Sequence, residues 1–206
     1  MTFPNDLAAL IESTKGFMPT NEGMALYESA KEYFAGGVGV EIGSYCGKST
    51  LYLAQAARET NSQLITIDHH RGSEEHQNGW EYHDLELADE QGVIDTFPAL
   101  RATIEKAGLT DYVSAIVGRS ATIAKWWSKE LDLVFVDGSH TEEAARTDYK
   151  SWSPFIRTGG ALIIHDVFPD PAAGGQAPYL IYKTAIDSNN FVETFAIDSL
   201  RVLRKV

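Results

Sequence analysis

The strongest constraint on how this chain folds is an alternation. Short apolar runs are separated by stretches of helical periodicity, five times over. Each such step joins one strand and one helix. Successive steps lay the strands parallel, because the helix carries the chain back across the sheet. The apolar runs are residues 38–42, 64–67, 114–117, 131–136 and 161–164, and the helical patterns are 21–34, 48–60, 96–107, 121–128 and 142–155. Asn21 stands where it could cap the first helix. Two further runs, 191–196 and 200–204, are too close together for a crossover helix and so predict an antiparallel hairpin. The expectation is a doubly wound α/β fold with a mostly parallel seven-stranded sheet and a C-terminal antiparallel hairpin. Its ligands would bind beyond the strand C-termini. A length of 206 residues suits one such domain over 1–206, with a helical N-terminal segment at 1–35.

The first strand leads into Gly43-Ser-Tyr-Cys-Gly47-Lys48-Ser49, which looks like a phosphate-binding loop. It is one residue short. A Walker A turn has four residues between its glycines, so that its backbone N–H groups curl round the phosphates while the lysine reaches the outer one. Here there are three, and the position that would have to be glycine is Ile42. Glu41 at the strand tip also has the wrong sign for polyphosphate. The dinucleotide fingerprint fails too, since Gly37 and Gly39 precede the strand end.

Composition narrows the function classes. The net charge of -12 argues against a general nucleic-acid or anionic-membrane surface. A single cysteine, Cys46, cannot form an internal disulfide and reads as a small residue in a tight turn. No secretory leader or membrane-spanning run is expected, and the expected location is cytoplasmic.

The chemistry-capable residues fall at the strand ends. The first strand ends in Glu41-Ile-Gly43, the second in Asp68-His69-His70, and the third in Gly118-Arg119-Ser120. The fourth ends in Asp137-Gly138-Ser139-His140 and the fifth in His165-Asp166. Acids and histidines so near a core need partners to offset their burial.

This order of segments resembles the class I S-adenosylmethionine (SAM)-dependent methyltransferases, which are Rossmann-like, over nearly the whole chain. "EIGSYCGKS" resembles their first motif and "LITIDHH" their second. "IVGRSATI", "LDLVFVDGSH" and "GGALIIHDVF" resemble the later ones. The resemblance implies SAM as cofactor, held by Glu41, Gly43, Ser44, Gly47, Ser49, Asp68, His69, Ser120 and Asp137. In it, Gly43 and Gly47 let the backbone approach the cofactor and Glu41 faces its methionine end. Asp68 accepts from the ribose hydroxyls, and Ser120 lies near adenine. Read bottom-up, an acid such as Asp68 could instead cap the following loop. Lys48 reads as part of the helix opening.

A narrower resemblance joins Asp137, His165 and Asp166 to the divalent-metal site of catechol-type and sugar O-methyltransferases. It implies Mg²⁺ or Mn²⁺. His165 departs from the pattern, because a carboxylate usually stands there and imidazole favours softer ions; it would be either a ligand or an outer-shell group. A metal-free site held by hydrogen bonds is the alternative. His140 stands three residues after Asp137, where the catechol-type enzymes carry a lysine base, and histidine starts near the pKa that a base needs; the plainer reading is a histidine at the entry to the following helix.

Residues 69–95 are long for a β-α connection and hold eight acids and four of the six histidines. They read as a lid-like insertion whose Glu74, His76, Trp80 and Tyr82 would meet a hydroxyl-rich acceptor; a solvated insertion is the plainer reading. The expectation is a SAM-dependent O-methyltransferase, metal-assisted, acting on a small polyhydroxylated acceptor. The overall look implies a sugar or oligosaccharide, as in actinobacterial sugar and natural-product enzymes. A homodimer is an allowed assembly. A metal-independent small-molecule methyltransferase, a P-loop NTPase and a SAM-binding module without turnover are the rivals.

Overall fold

The computed structural model describes residues 3–72, 84–89, 91–138 and 141–206. Two N-terminal helices, α1 (Asn5–Ser13) and α2 (Thr20–Tyr33), precede the alternation. It then runs β1 (Val38–Ile42), α3 (Lys48–Thr60), β2 (Gln63–Asp68), α4 (Phe97–Lys106), β3 (Val113–Val117), α5 (Ser120–Ala124), β4 (Leu131–Val136), α6 (Glu142–Trp152) and β5 (Ile156–Ile164). The chain closes with α7 (Ala177–Asp187), β6 (Phe191–Ile197) and β7 (Leu200–Lys205).

The seven strands form one sheet in the order β3-β2-β1-β4-β5-β7-β6. The first five strands are parallel; β7 runs antiparallel to β5 and pairs with β6 as a hairpin. Strand order reverses between β1 and β4, and this switch point is where a doubly wound sheet opens its crevice.

Alternation along β4 shows how the two layers share the core. Leu133 and Phe135 join Leu26, Tyr27 and Leu51 of the α2 and α3 layer. Val134 and Val136 join Trp152 and Ile181 of the α6 and α7 layer. Each such fully buried side chain contributes about 1.5–3 kcal/mol. No helix of the described residues is long and apolar enough to cross a membrane.

Several boundaries differ from the sequence pattern. Helix α2 is preceded by Pro19, not capped by Asn21, whose side-chain amide instead donates to Asp198 in the β6–β7 turn. Helix α5 stops at Ala124. There Trp126 and Trp127 close tighter three-residue turns, and the Trp127 ring packs on Trp152. Strand β5 starts earlier than the apolar run suggests, with an irregular register opposite Leu131 and Leu133 that absorbs the glycines. Helix α7 has no counterpart among the expected helices. Its Tyr and Ile residues weaken the helical signal, yet Ala177, Ile181 and Ala185, four apart, bury one stripe.

At the switch point Gly43 has φ +87°, and a Cβ there would lie 2.3 Å from the carbonyl oxygen of Asp137. Backbone, not a flexible side chain, fills that space. Gly43→Ala should therefore lower the unfolding free energy by about 2–5 kcal/mol, from left-handed strain plus the forced separation of the β1 and β4 tips. Urea titration followed by circular dichroism reads this; an unchanged midpoint would refute the close-packing account.

Candidate active site

Beyond the strand tips lies a cleft of about 1260 Å³. A single small ligand usually occupies ~300–1,000 Å³, so two molecules can share this space. The β1 side contributes Gly43, Ser44 and Ser49 to its wall, and the β2 tip contributes Asp68 and His69. Ser120 comes from the start of α5, and Asp137, His165 and Asp166 from the tips of β4 and β5. These nine expected positions converge from five segments.

Two expected cofactor positions do not reach the wall. Glu41 is wholly buried behind it, where its two carboxylate oxygens accept from the hydroxyls of Ser49 at 2.7 Å and Thr50 at 2.6 Å. An acid at that point of β1 turns towards the first turn of α3, because those hydroxyls offset part of its desolvation. Burial still dominates and pushes its pKa up to about 7, against the hydroxyl bonds that favour the charge. Gly47, with φ +96°, serves packing: a Cβ there would lie 2.9 Å from Leu100 of α4. Cys46 is buried with Leu87 and Ile94, and burial pushes its thiol up to about 12, so it is a packing residue.

Asp68 ties two loops together. One oxygen accepts from the backbone N–H groups of Ser44 at 3.1 Å and Tyr45 at 3.0 Å; the other accepts from that of His70 at 2.8 Å. It thus caps its own following loop and also fixes the glycine loop, while still lining the cleft. His69 is exposed on the wall, and its Nδ1 accepts from the Arg71 backbone at 3.1 Å. Ser120 donates its hydroxyl to Asp148, an acid on α6 that also faces the cleft. Burial pushes Asp148 up to about 6 despite that bond.

The β4 and β5 tips bring two carboxylates against one imidazole. His165 is 4% exposed; its Nδ1 lies 2.9 Å from Asp137 Oδ1 and 3.6 Å from Asp166 Oδ1. Its Nε2 lies 2.9 Å from Glu22 Oε2. Burial opposes charge on His165. The Asp137 carboxylate, through its charge and its hydrogen bond, outweighs burial together with Glu22 and Asp166, and raises the pKa to about 11. One atom each from Asp137, His165 and Asp166 can be chosen within 4.8 Å of the others, a spread that could hold a metal ion.

Residues 40–167 match the family model described as a methyltransferase domain. The chain belongs to that methyltransferase family. The O-methyltransferase hkm8 of Aspergillus hancockii is 24% identical over 127 residues, which is 62% of this chain and 41% of that protein. The match thus spans about two fifths of the length of this curated relative. Among solved structures, the O-methyltransferase TomG from Streptomyces achromogenes, in complex with SAM, aligns with a TM-score of 0.67 and 16% identity. That alignment covers 100% of this chain and 91% of TomG. An O-methyltransferase from Bacillus cereus in complex with SAH (S-adenosylhomocysteine) aligns with the same TM-score and identity, over 100% of this chain and 93% of that one. The methyltransferase fold is therefore shared closely while the sequence has drifted far.

Within this site, sequence reasoning missed Glu22 and Asp148. Glu22 did leave a signal: it shares one face of α2 with the buried Leu26 and Ala30, so it is an acid on an apolar stripe. Asp148 left none, since acids abound around it. His140 and the acceptor-side Glu74, His76, Trp80 and Tyr82 lie outside the described residues. Where 69–95 is described, Asp84 and Glu86 pair with Lys15, which lines the cleft, at 2.5 and 2.6 Å.

Glu41 makes stability depend on pH. Its folded pKa, about 7, exceeds the ordinary 4.5, so folding takes up a proton in between. Its stabilising contribution is complete below the lower value and is lost as pH rises through about 7. Glu41→Gln should keep the amide in the same pocket and flatten that slope. Between about pH 4.5 and about pH 8, the stability difference between wild type and variant should change by on the order of 2–3 kcal/mol. Slopes common to both proteins, such as that of His165, cancel in the comparison. Parallel profiles in urea titrations would show that Glu41 stays ionised.

Proposed function

We propose that the chain is a SAM-dependent O-methyltransferase acting on a hydroxyl of a small polyhydroxylated acceptor, a sugar or oligosaccharide, with a divalent ion assisting. The observation that carries this is the convergence of Asp137, His165 and Asp166 in the same cleft as the Gly43 loop and Asp68. Family membership supports methyl transfer, and the size of the cleft supports two substrates side by side. Gly43, Ser44, Ser49, Asp68, His69 and Ser120 would hold SAM, whose sulfonium supplies the methyl group. In this reading the remaining lone pairs of Asp68 take the ribose hydroxyls.

The residues at the β4 and β5 tips fit a hard cation. An ion about 2.1 Å from two neighbouring octahedral donors holds them about 3 Å apart. The 2.9 and 3.6 Å separations from His165 Nδ1 to the two aspartates suit that. The Nε2 bond to Glu22 leaves Nδ1 as the ligating atom once its proton is released. Asp137, Asp166 and His165 would hold Mg²⁺ or Mn²⁺, and the chemistry the ion supplies when bound is Lewis-acid activation of a hydroxyl. His140, three residues beyond Asp137 in sequence, takes the acceptor proton. The acceptor oxygen then forms a bond to the methyl carbon as the carbon–sulfur bond breaks, its electron pair passing to sulfur. Holding both substrates in one cleft supplies much of the acceleration.

A metal-independent methyltransferase is the second reading, and one observation favours it. Both ring nitrogens of His165 lie 2.9 Å from carboxylates, so an imidazolium already places positive charge at these strand tips.

Methyl transfer from labelled SAM to a panel of sugar hydroxyls tests the proposal. Dialysis against excess chelator should abolish transfer, and Mg²⁺ or Mn²⁺ should restore it. Full activity in chelator would select the metal-independent reading, and SAH binding without transfer to any acceptor would select a binding module. His140→Ala should cost ~10²–10⁴-fold in turnover while leaving SAH affinity unchanged by calorimetry. Near-normal turnover would mean that the proton leaves by another route.

A further inference from the structure

Glu22 is an acid in the wrong place for stability alone. It is 2% exposed, on the face of α2 that packs against the core. Desolvating a carboxylate there is costly unless it is paired and hydrogen-bonded, and apolar side chains of similar volume usually do as well or better. Its bonds are fully specified. Oε2 takes Nε2 of His165 at 2.9 Å, across 143 residues of sequence. Oε1 accepts from both the backbone N–H of Ser199 at 2.5 Å and its hydroxyl at 2.8 Å.

Ser199 is itself fixed. It sits in the β6–β7 turn, and its carbonyl accepts from the N–H of Val167 just after the β5 tip at 2.9 Å. The neighbouring Asp198 accepts from Asn21 of α2, a second tie between the same helix and the same turn. Helix α2, the β6–β7 turn and the β5 tip are thus clamped around one imidazole. What the clamp settles is direction: with Nε2 held by Glu22, Nδ1 faces Asp137 and Asp166.

We propose that Glu22 is a positioning residue, gripped by Ser199, which fixes the ring orientation and tautomer of His165 so that Nδ1 is presented to a divalent ion shared with Asp137 and Asp166. This rests on the metal-assisted reading above. Loss of a carboxylate that orients a ligating histidine typically weakens metal binding 10–100-fold.

Binding of Mn²⁺ alone to the full chain, by calorimetry or by the paramagnetic resonance of free Mn²⁺, tests it. Glu22→Gln keeps the shape and an acceptor but removes the charge; it should weaken Mn²⁺ about 10–100-fold. SAH affinity should stay near wild type while Mn²⁺ affinity falls, a split that a merely structural role would not give; the thermal midpoint without metal should fall, because a buried charge loses its partner. Ser199→Ala loosens only the grip on Glu22 and should give a smaller loss in the same direction. Equal Mn²⁺ affinity in wild type and Glu22→Gln overturns the inference and leaves the metal reading standing. If Glu22→Gln does not fold, equal affinity in Ser199→Ala overturns it. Wild type that binds no Mn²⁺ overturns the metal reading and this inference with it.

Discussion

Everything at the cleft depends on how closely β1 and β4 approach at the switch point. The backbone of Gly43 sits against the carbonyl of Asp137, in space that no side chain could share. The N–H of Asp137 donates to the Ile42 carbonyl at 2.9 Å, and that of Gly43 to the Ile67 carbonyl at 3.0 Å. The loops after β1, β2 and β4 therefore leave the sheet from one rigid edge. A glycine with positive φ permits this because it lacks the Cβ that would otherwise wedge the tips apart. Asp68 then draws the glycine loop towards β2 and holds it along the edge of the crevice.

Behind the cleft the chain buries several ionisable groups, and their partners decide which way each is shifted. Glu41 is hydrogen-bonded by two hydroxyls and, among the described residues, has no cation beside it, so burial raises its pKa. Asp148 shares that direction, with a single serine hydroxyl as partner. Glu22 moves the other way: burial raises it, but the bonds from His165 and Ser199 prevail and hold it below its ordinary value. The contrast follows from partner charge, since a cation favours the ionised form where a neutral hydroxyl only softens desolvation. Charge is thus concentrated at the β4 and β5 tips, where the proposed chemistry needs it.

The layered architecture was legible because its signals are local and repeated. Apolar runs of strand length alternating with helical patterns admit few folds, and six of the seven strand boundaries lie within about two residues of the pattern. The exception, β5, begins where glycines read as a turn. Helix α7 was illegible because its Tyr and Ile residues suit strands as well as helices, and its burial depends on β5 and β6 being in place. Strand-tip acids and histidines were legible as a group, since the C-terminal edge of a parallel sheet is a position that order along the chain predicts.

By itself, the sequence determined the fold class, the truncated glycine loop that cannot curl round phosphate, and the set of polar residues delivered to the cleft edge. All of these are fixed by spacing along the chain. Only the tertiary structure decided which way each side chain turns and what it meets. Glu41 and Gly47 belong to the same motif as Gly43, yet one turns back onto α3, whose hydroxyls hold its carboxylate, and the other packs on α4, because a helix start is chosen by what packs against it. Glu22, Ser199 and His165 are far apart in the chain and meet only when helix, hairpin turn and strand tip close round one buried ring. A partner of that kind leaves no local spacing to read; it exists only because desolvated charges must find one another once the core has formed.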